Sequence, residues 1–233
     1  MKRAILIFVL FPWIFTNRVV ANILTNGGFE SGNFSGWFLH QDFGLLGLPR
    51  SGLGPPGSYP IVPGAVVSSF PLDQLDPMLP HAGNFFVAFE IGGQGLLVQT
   101  SQSYTSSLHE THSLNAGDTL SGWASFADGD YVPQDSAWVK IFDETGALIA
   151  TPWQAVSGNN PAFTPRLVTP WTLWQWEVPA AGVYTVQLGA ATVGDNLDPS
   201  EVFFDDLNVT AVPEPAASVL ALLSLTLLLR KRS

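Results

Sequence analysis

The sequence predicts an all-β fold, an antiparallel β-sandwich or jelly roll, on three observations. Short runs alternate apolar and polar residues with period two, Gly, Pro, Asn and Asp bound those runs, and no stretch of the body carries a helical stripe with caps. Along the chain, Phe85, Val87, Phe89 and Ile91 alternate with Phe86, Ala88 and Glu90. A strand near 119–127 follows, then Ala137, Val139 and Ile141 alternating with Ser136, Trp138 and Lys140. A strand near 171–178 precedes a run in which Tyr184, Val186, Leu188 and Ala190 alternate with Thr185, Gln187 and Gly189, and the last strand falls near 202–210. Many short antiparallel strands in about 190 residues make a two-layer sandwich. Residues 44–64, with Pro49, Pro55, Pro56, Pro60 and Pro63, read as one long irregular loop, because strand patterns flank them on both sides.

Apolar segments lie at both ends. Met1-Lys2-Arg3 is a basic n-region, Ala4 to Phe15 is an apolar h-region, and Val19-Val20-Ala21 ends in a small residue. Residues 1–21 therefore read as a secretory signal peptide cut after Ala21. At the other end Val212-Pro213-Glu214-Pro215 precedes an uncharged segment, 216–229, and Arg230-Lys231-Arg232-Ser233 follows it. At about 1.5 Å per residue the segment reaches only ~21 Å as a helix. A bilayer core is about 30 Å thick, so a transient anchor fits better than a permanent one. The basic cluster is expected to stay cytoplasmic, with everything before it outside. A Pro-Glu-Pro box, a hydrophobic helix and a basic stop in this order resemble the PEP-CTERM sorting signal of Gram-negative bacteria. That resemblance covers residues 212–233. It implies recognition by an exosortase-like transpeptidase, contact with the membrane during sorting, cleavage at or near the box, and release of the body to the cell surface or extracellular matrix. The expected domains are thus a signal peptide, 1–21, a sandwich, 22–211, and a sorting signal, 212–233.

Residues 22–212 hold eighteen acidic residues against three basic ones, Arg50, Lys140 and Arg166, a net charge of −15. Such a surface repels nucleic acid and anionic lipid and attracts divalent cations, calcium first in an extracellular setting. The chain has no Cys, so neither disulfides nor thiol chemistry contribute.

Asn26-Gly27-Gly28-Phe29-Glu30-Ser31-Gly32 with Trp37 opens the body, and Phe203-Phe204-Asp205-Asp206-Leu207-Asn208-Val209 closes it. These ends resemble the first and last strands of galactose-binding-like jelly rolls, the fold of many carbohydrate-binding modules. The resemblance implies a structural calcium where the ends meet, with Glu30 and Asp205 as ligands. Periodicity agrees: if Leu207 and Val209 face the core, period two turns Phe203 and Asp205 inward as well. An inward carboxylate needs a partner, which calcium would supply.

Other constellations are weaker. Asp128-Gly129-Asp130 with Asp135 lacks the full spacing of a calcium loop and reads as a solvated turn. His109-Glu110-Thr111-His112 lies in a Ser- and Thr-rich strand pattern, where positions 109 and 112 point to opposite faces. No nucleophile elbow and no marked carboxylate pair points to an enzyme. Of seven Trp in the body, Trp37 and Trp171 read as core. Trp123 shares its strand face with Thr119, Ser121 and Ser125, Trp138 with Ser136 and Lys140, and Trp174 and Trp176 with Thr172. A flat aromatic on a polar face can stack on a sugar ring, which makes Trp138 and Trp174 the candidates. The sequence thus predicts an exported, non-enzymatic protein that binds extracellular polysaccharide. The alternative is a structural or adhesive matrix protein without a sugar site. Exposed Trp would favour the first and buried Trp the second.

Overall fold

The computed structural model describes residues 24–42, 65–72, 75–91, 103–129, 135–158, 166–193 and 200–212. All belong to one compact unit, Ala21–Val212. The signal peptide, the sorting signal from Pro213 onward, the 44–64 loop and Asp130 lie outside the described residues.

Among the described residues every regular element is a strand: β1 Phe38–Asp42, β2 Ala65–Val67, β3 Phe86–Ile91, β4 Ser103–Leu114, β5 Thr119–Asp128, β6 Asp135–Asp143, β7 Leu148–Val156, β8 Leu167–Val168, β9 Thr172–Glu177, β10 Gly182–Val193 and β11 Ser200–Thr210. They form two antiparallel sheets. One has the order β1-β4-β10-β6-β7, the other β2-β3-β11-β5-β8, with β9 also paired to β5. From β3 to β6 successive strands alternate between the sheets, as do β9, β10 and β11, which is a jelly-roll path. The expected fold class is therefore the observed one.

The main core lies between the sheets. Phe89, Leu108, Val139, Ile141, Leu188 and Phe204 are wholly buried there. Full burial of each such side chain contributes roughly 1.5–3 kcal/mol. A second apolar cluster covers the other face of the six-stranded sheet: Phe86, Ala88, Ala127 and Phe203 pack with Leu72, Phe70, Met78 and Trp171. Phe70 and Met78 exchange two backbone hydrogen bonds of 2.9 and 2.8 Å, which ties the covering segment into a bridge. Burial on both faces explains why β3 is apolar at almost every position.

A bulge in β11 changes which way its residues face. Phe204 pairs with Ala124 and Asp205 with Trp123, but Asn208 then pairs with Ser121, so the register shifts between Asp205 and Asn208. Asp206 takes φ = 51° at this point. Phe204, Leu207 and Val209 all enter the main core, and Phe203 joins the second cluster. The inward placement read for Phe203 and Asp205 is thereby corrected: both face away from the opposite sheet, because one extra residue reverses the alternation. Asp205 is nonetheless wholly buried, beneath the chain that covers this face.

Candidate functional site

Glu30 and Asp205 converge on one loop. The Asp205 carboxylate accepts the backbone N–H of His81 (2.8 Å), Ala82 (3.3 Å) and Asp206 (2.7 Å). The Glu30 carboxylate accepts those of Asn84 (2.8 Å) and Phe85 (3.0 Å), and also the Asn84 amide at 3.1 Å. The Asn84 N–H holds Glu30 below the usual carboxylate range. Burial pushes Asp205 up to about 7, and the adjacent Asp206 adds to the rise. Asp206 in turn meets His81 Nδ1 at 2.7 Å, and the His81 ring stacks on Trp123 at 3.9 Å. Leu207 donates its N–H to Gly27 O at 2.9 Å, closing the junction of the two chain ends.

The ends therefore meet as expected, with residues 81–85 between the two carboxylates. All four carboxylate oxygens accept N–H groups, and Gly83 packs against Glu30 so tightly that a Cβ would stand 2.2 Å from Oε1. Calcium takes six to eight oxygen ligands. Among the described residues no group of three or more His, Cys, Asp or Glu is arranged to hold an ion. The amides of residues 81–85 thus already give both carboxylates hydrogen-bond partners.

The acidic turn reading of Asp128 and Asp135 is also corrected. Both side chains are buried, and Gly158 donates its N–H to Asp128 at 3.4 Å. Nearby, Arg166 pairs with the buried Glu201.

Trp174 is not a surface platform. It is 3% exposed in the main core, opposite Gly122, whose missing side chain leaves room for the indole. Thr172, read as marking a polar face, sits at the exposed first position of β9, while Trp174, Trp176 and Val178 turn inward. Trp37 belongs to the main core, and Trp171 packs against the second cluster with its Nε1 donating to Leu79 O at 3.2 Å.

Trp138 faces outward from the five-stranded sheet and belongs to neither apolar cluster. Its ring lies over Gly189, where a Cβ would stand 2.7–2.8 Å from three ring atoms. The Lys140 ammonium sits 4.0 Å from the ring centroid. Trp138 is only 9% exposed although it packs in neither cluster, and the Lys140 side chain is one of the groups over it. No described Trp is exposed.

A directed line of hydrogen bonds crosses three strands from this ring. An indole can only donate, so Gln187 turns its Oε1 to Trp138 Nε1 at 2.8 Å. Its Nε2 then donates to His109 Nε2 at 3.1 Å, which must accept, and Ser107 Oγ donates to the same nitrogen at 2.8 Å. His109 is therefore the neutral Nδ1–H tautomer. Burial, and then the His40 ring 6.0 Å away, hold its pKa below the usual histidine value. The line borders a depression of about 480 Å³ lined by His109, Thr111, Phe142, Asp143, Thr185 and Gln187. His109 and His112 do point to opposite faces: His112 meets the buried Glu110 at 2.9 Å. Gln187, His109, Ser107 and Lys140 carry no sequence signal as a site. They are ordinary polar strand residues until register aligns them.

No family model and no curated protein matches the chain. Among solved structures, the chain is similar to a carbohydrate-binding module, TmCBM61, in complex with β-1,4-galactotriose. That match has 16% identity and a TM-score of 0.47, and covers 82% of this chain and 99% of that one. A Stig cyclase, Fisc, from Fischerella sp. TAU is similar over 82% of this chain and 96% of its own, with 13% identity and a TM-score of 0.45. The K1 cleaved adhesin domain of Lys-gingipain from Porphyromonas gingivalis W83 is similar at 14% identity and a TM-score of 0.39, over 76% of this chain and 99% of its own. These are likenesses of chain path; the site is read from its own residues.

Proposed function

We propose that the protein is an exported, non-enzymatic sandwich that binds extracellular polysaccharide on the outer face of its five-stranded sheet. The observation that carries this reading is Trp138: an indole laid on Gly189, fixed at its N–H by Gln187, with the flexible Lys140 side chain reaching over its ring. A sugar ring can take the place of that lysine, stacking on the indole while its hydroxyls meet Gln187, His109 and Ser107. Export rests on the signal-peptide pattern ending at Ala21. Sorting by an exosortase-like transpeptidase, through transient membrane anchoring, rests on the Val212-Pro213-Glu214-Pro215 box and the segment after it. The cell surface or extracellular matrix of a Gram-negative bacterium is the destination these signals imply.

One observation favours the second reading, a structural or adhesive matrix protein: every described Trp is at least partly buried. Glycan-array binding of the secreted protein, with Trp138→Ala alongside, separates the two. Stacking buries about 50–100 Å² of apolar area, so the polysaccharide reading expects Trp138→Ala to weaken binding about tenfold to a hundredfold in a protein that still folds. A variant that melts sharply lower, from a protein that binds no glycan, supports the matrix reading.

A further inference from the structure

We propose that this face selects acidic polysaccharides, those carrying carboxylate or sulfate groups, and that Lys140 is the selecting residue. The inference rests on the polysaccharide-binding reading and names its ligand class.

The body has a net charge of −15 and three basic residues. Arg166 is spent on the buried Glu201, and Arg50 lies outside the described residues. Among the described residues Lys140 has no carboxylate partner; its ammonium rests on the Trp138 ring. The one described lysine is thus placed on the face that carries the candidate platform, beside Gln187 in the strand register. His109 and His40 stand on the same face and add no negative charge.

The geometry links stacking to charge. One face of the indole is closed by Gly189, so a sugar must enter where the ammonium sits. A neutral sugar displaces the ammonium and offers it only hydroxyl acceptors, with no opposite charge. An acidic sugar displaces it and provides an anion within reach of a four-carbon stem, so the lost cation–π contact is replaced by an ion pair. Partial burial, which lowers the Lys140 pKa, leaves the ammonium short of water and ready for such a partner. Asp143 and Glu144 line the neighbouring depression and repel an anionic chain there. The Asp143 carboxylate is turned into its own turn, accepting from Thr145 and Ala147. The acidic group is therefore placed at the Trp138 end. Repulsion from the rest of the body is screened beyond about 8 Å at physiological salt.

The test is binding of the secreted protein to two matched pairs: polygalacturonate against its methyl ester, and dextran sulfate against dextran. We expect the wild type to prefer the charged member of at least one pair by about tenfold, with that preference shrinking as NaCl rises; which pair responds tells carboxylate from sulfate. Lys140→Gln is expected to lose the preference while binding the neutral member as well as wild type or better, because the cap is gone. Lys140→Arg is expected to keep the preference. Equal binding of charged and neutral polymers by the wild type, or a preference that survives in Lys140→Gln, overturns the selection and leaves the polysaccharide reading standing. Binding to no glycan at all overturns both.

Discussion

Burial and the neighbouring Asp206 push the Asp205 carboxyl up to about 7, well above the ordinary aspartate range. The folded state therefore holds a proton that the unfolded chain releases near pH 4. Stability contributed by this group falls as pH rises from about 4 to about 7 and is flat above, by an amount on the order of 4 kcal/mol. Asp205→Asn removes the titration but turns an amide N–H toward the N–H groups of His81, Ala82 or Asp206, a cost of about 1–3 kcal/mol. Chemical denaturation should find the variant clearly less stable than wild type at pH 5, with the gap narrowing by pH 8; a gap constant across that range would contradict the raised carboxyl. His109 titrates in the opposite sense. Its lowered pKa keeps it neutral through the ordinary histidine range, and only in more acid solution does it gain a second N–H and reject Gln187. Glycan affinity measured from pH 8 downward is expected to hold through the ordinary histidine range and to fall only in more acid solution.

At the scale of elements, two close approaches carry consequences. Gly189 of β10 supports the Trp138 ring from β6, and a Cβ there would stand 2.7 Å from ring atoms. Because the indole can swing outward, Gly189→Ala should cost little stability while weakening glycan binding as much as Trp138→Ala does. Gly27 meets an obstacle that cannot swing: its Cβ would lie 2.1 Å from the backbone oxygen of Leu207 on β11. Gly27→Ala should lower the melting temperature by several degrees, as expected for a loss of about 1–3 kcal/mol. Gly28→Ala, whose Cβ would meet nothing nearer than 3.6 Å, should melt close to wild type. Equal melting of the two variants would show that the Gly27–Leu207 contact does not hold the chain ends together.

For the whole molecule, the junction of first and last segments is closed by amide-to-carboxylate bonds around residues 81–85. A chelator is therefore expected to leave the melting temperature unchanged. A drop of several degrees, the response of a native state losing an ion held at a hundredfold excess over its Kd, would show that calcium does share these carboxylates. The fate of the chain ends is read by intact-mass analysis of exported protein: we expect neither residues 1–21 nor Arg230 to Ser233 to remain.

Local regularities were legible in the chain alone. Burial with period two survives in a single sequence, so β3, β5, β6, β9, β10 and β11 could be placed, and two apolar end segments with their flanking charges needed no fold to be read. Asp205 also stood out, because a carboxylate set among apolar strand residues demands a partner, and Glu30 was marked by the resemblance of its Gly-Phe-Glu segment. Which partner it has was decided by the tertiary structure: the amides of residues 81–85 come from a segment 124 residues before Asp205 in one case and 54 after Glu30 in the other. The same holds for facing. One extra residue in β11 reversed Phe203 and Asp205, and Gly122 on a neighbouring strand turned Trp174 into core. Trp138 was marked by its polar strand face, but Ser107, His109 and Gln187 are unremarkable at their own positions and join it in a line only when β4, β10 and β6 align. Alternation belongs to neighbours along the chain and is written there; register belongs to strands brought together by folding, and it alone fixes which side chains meet.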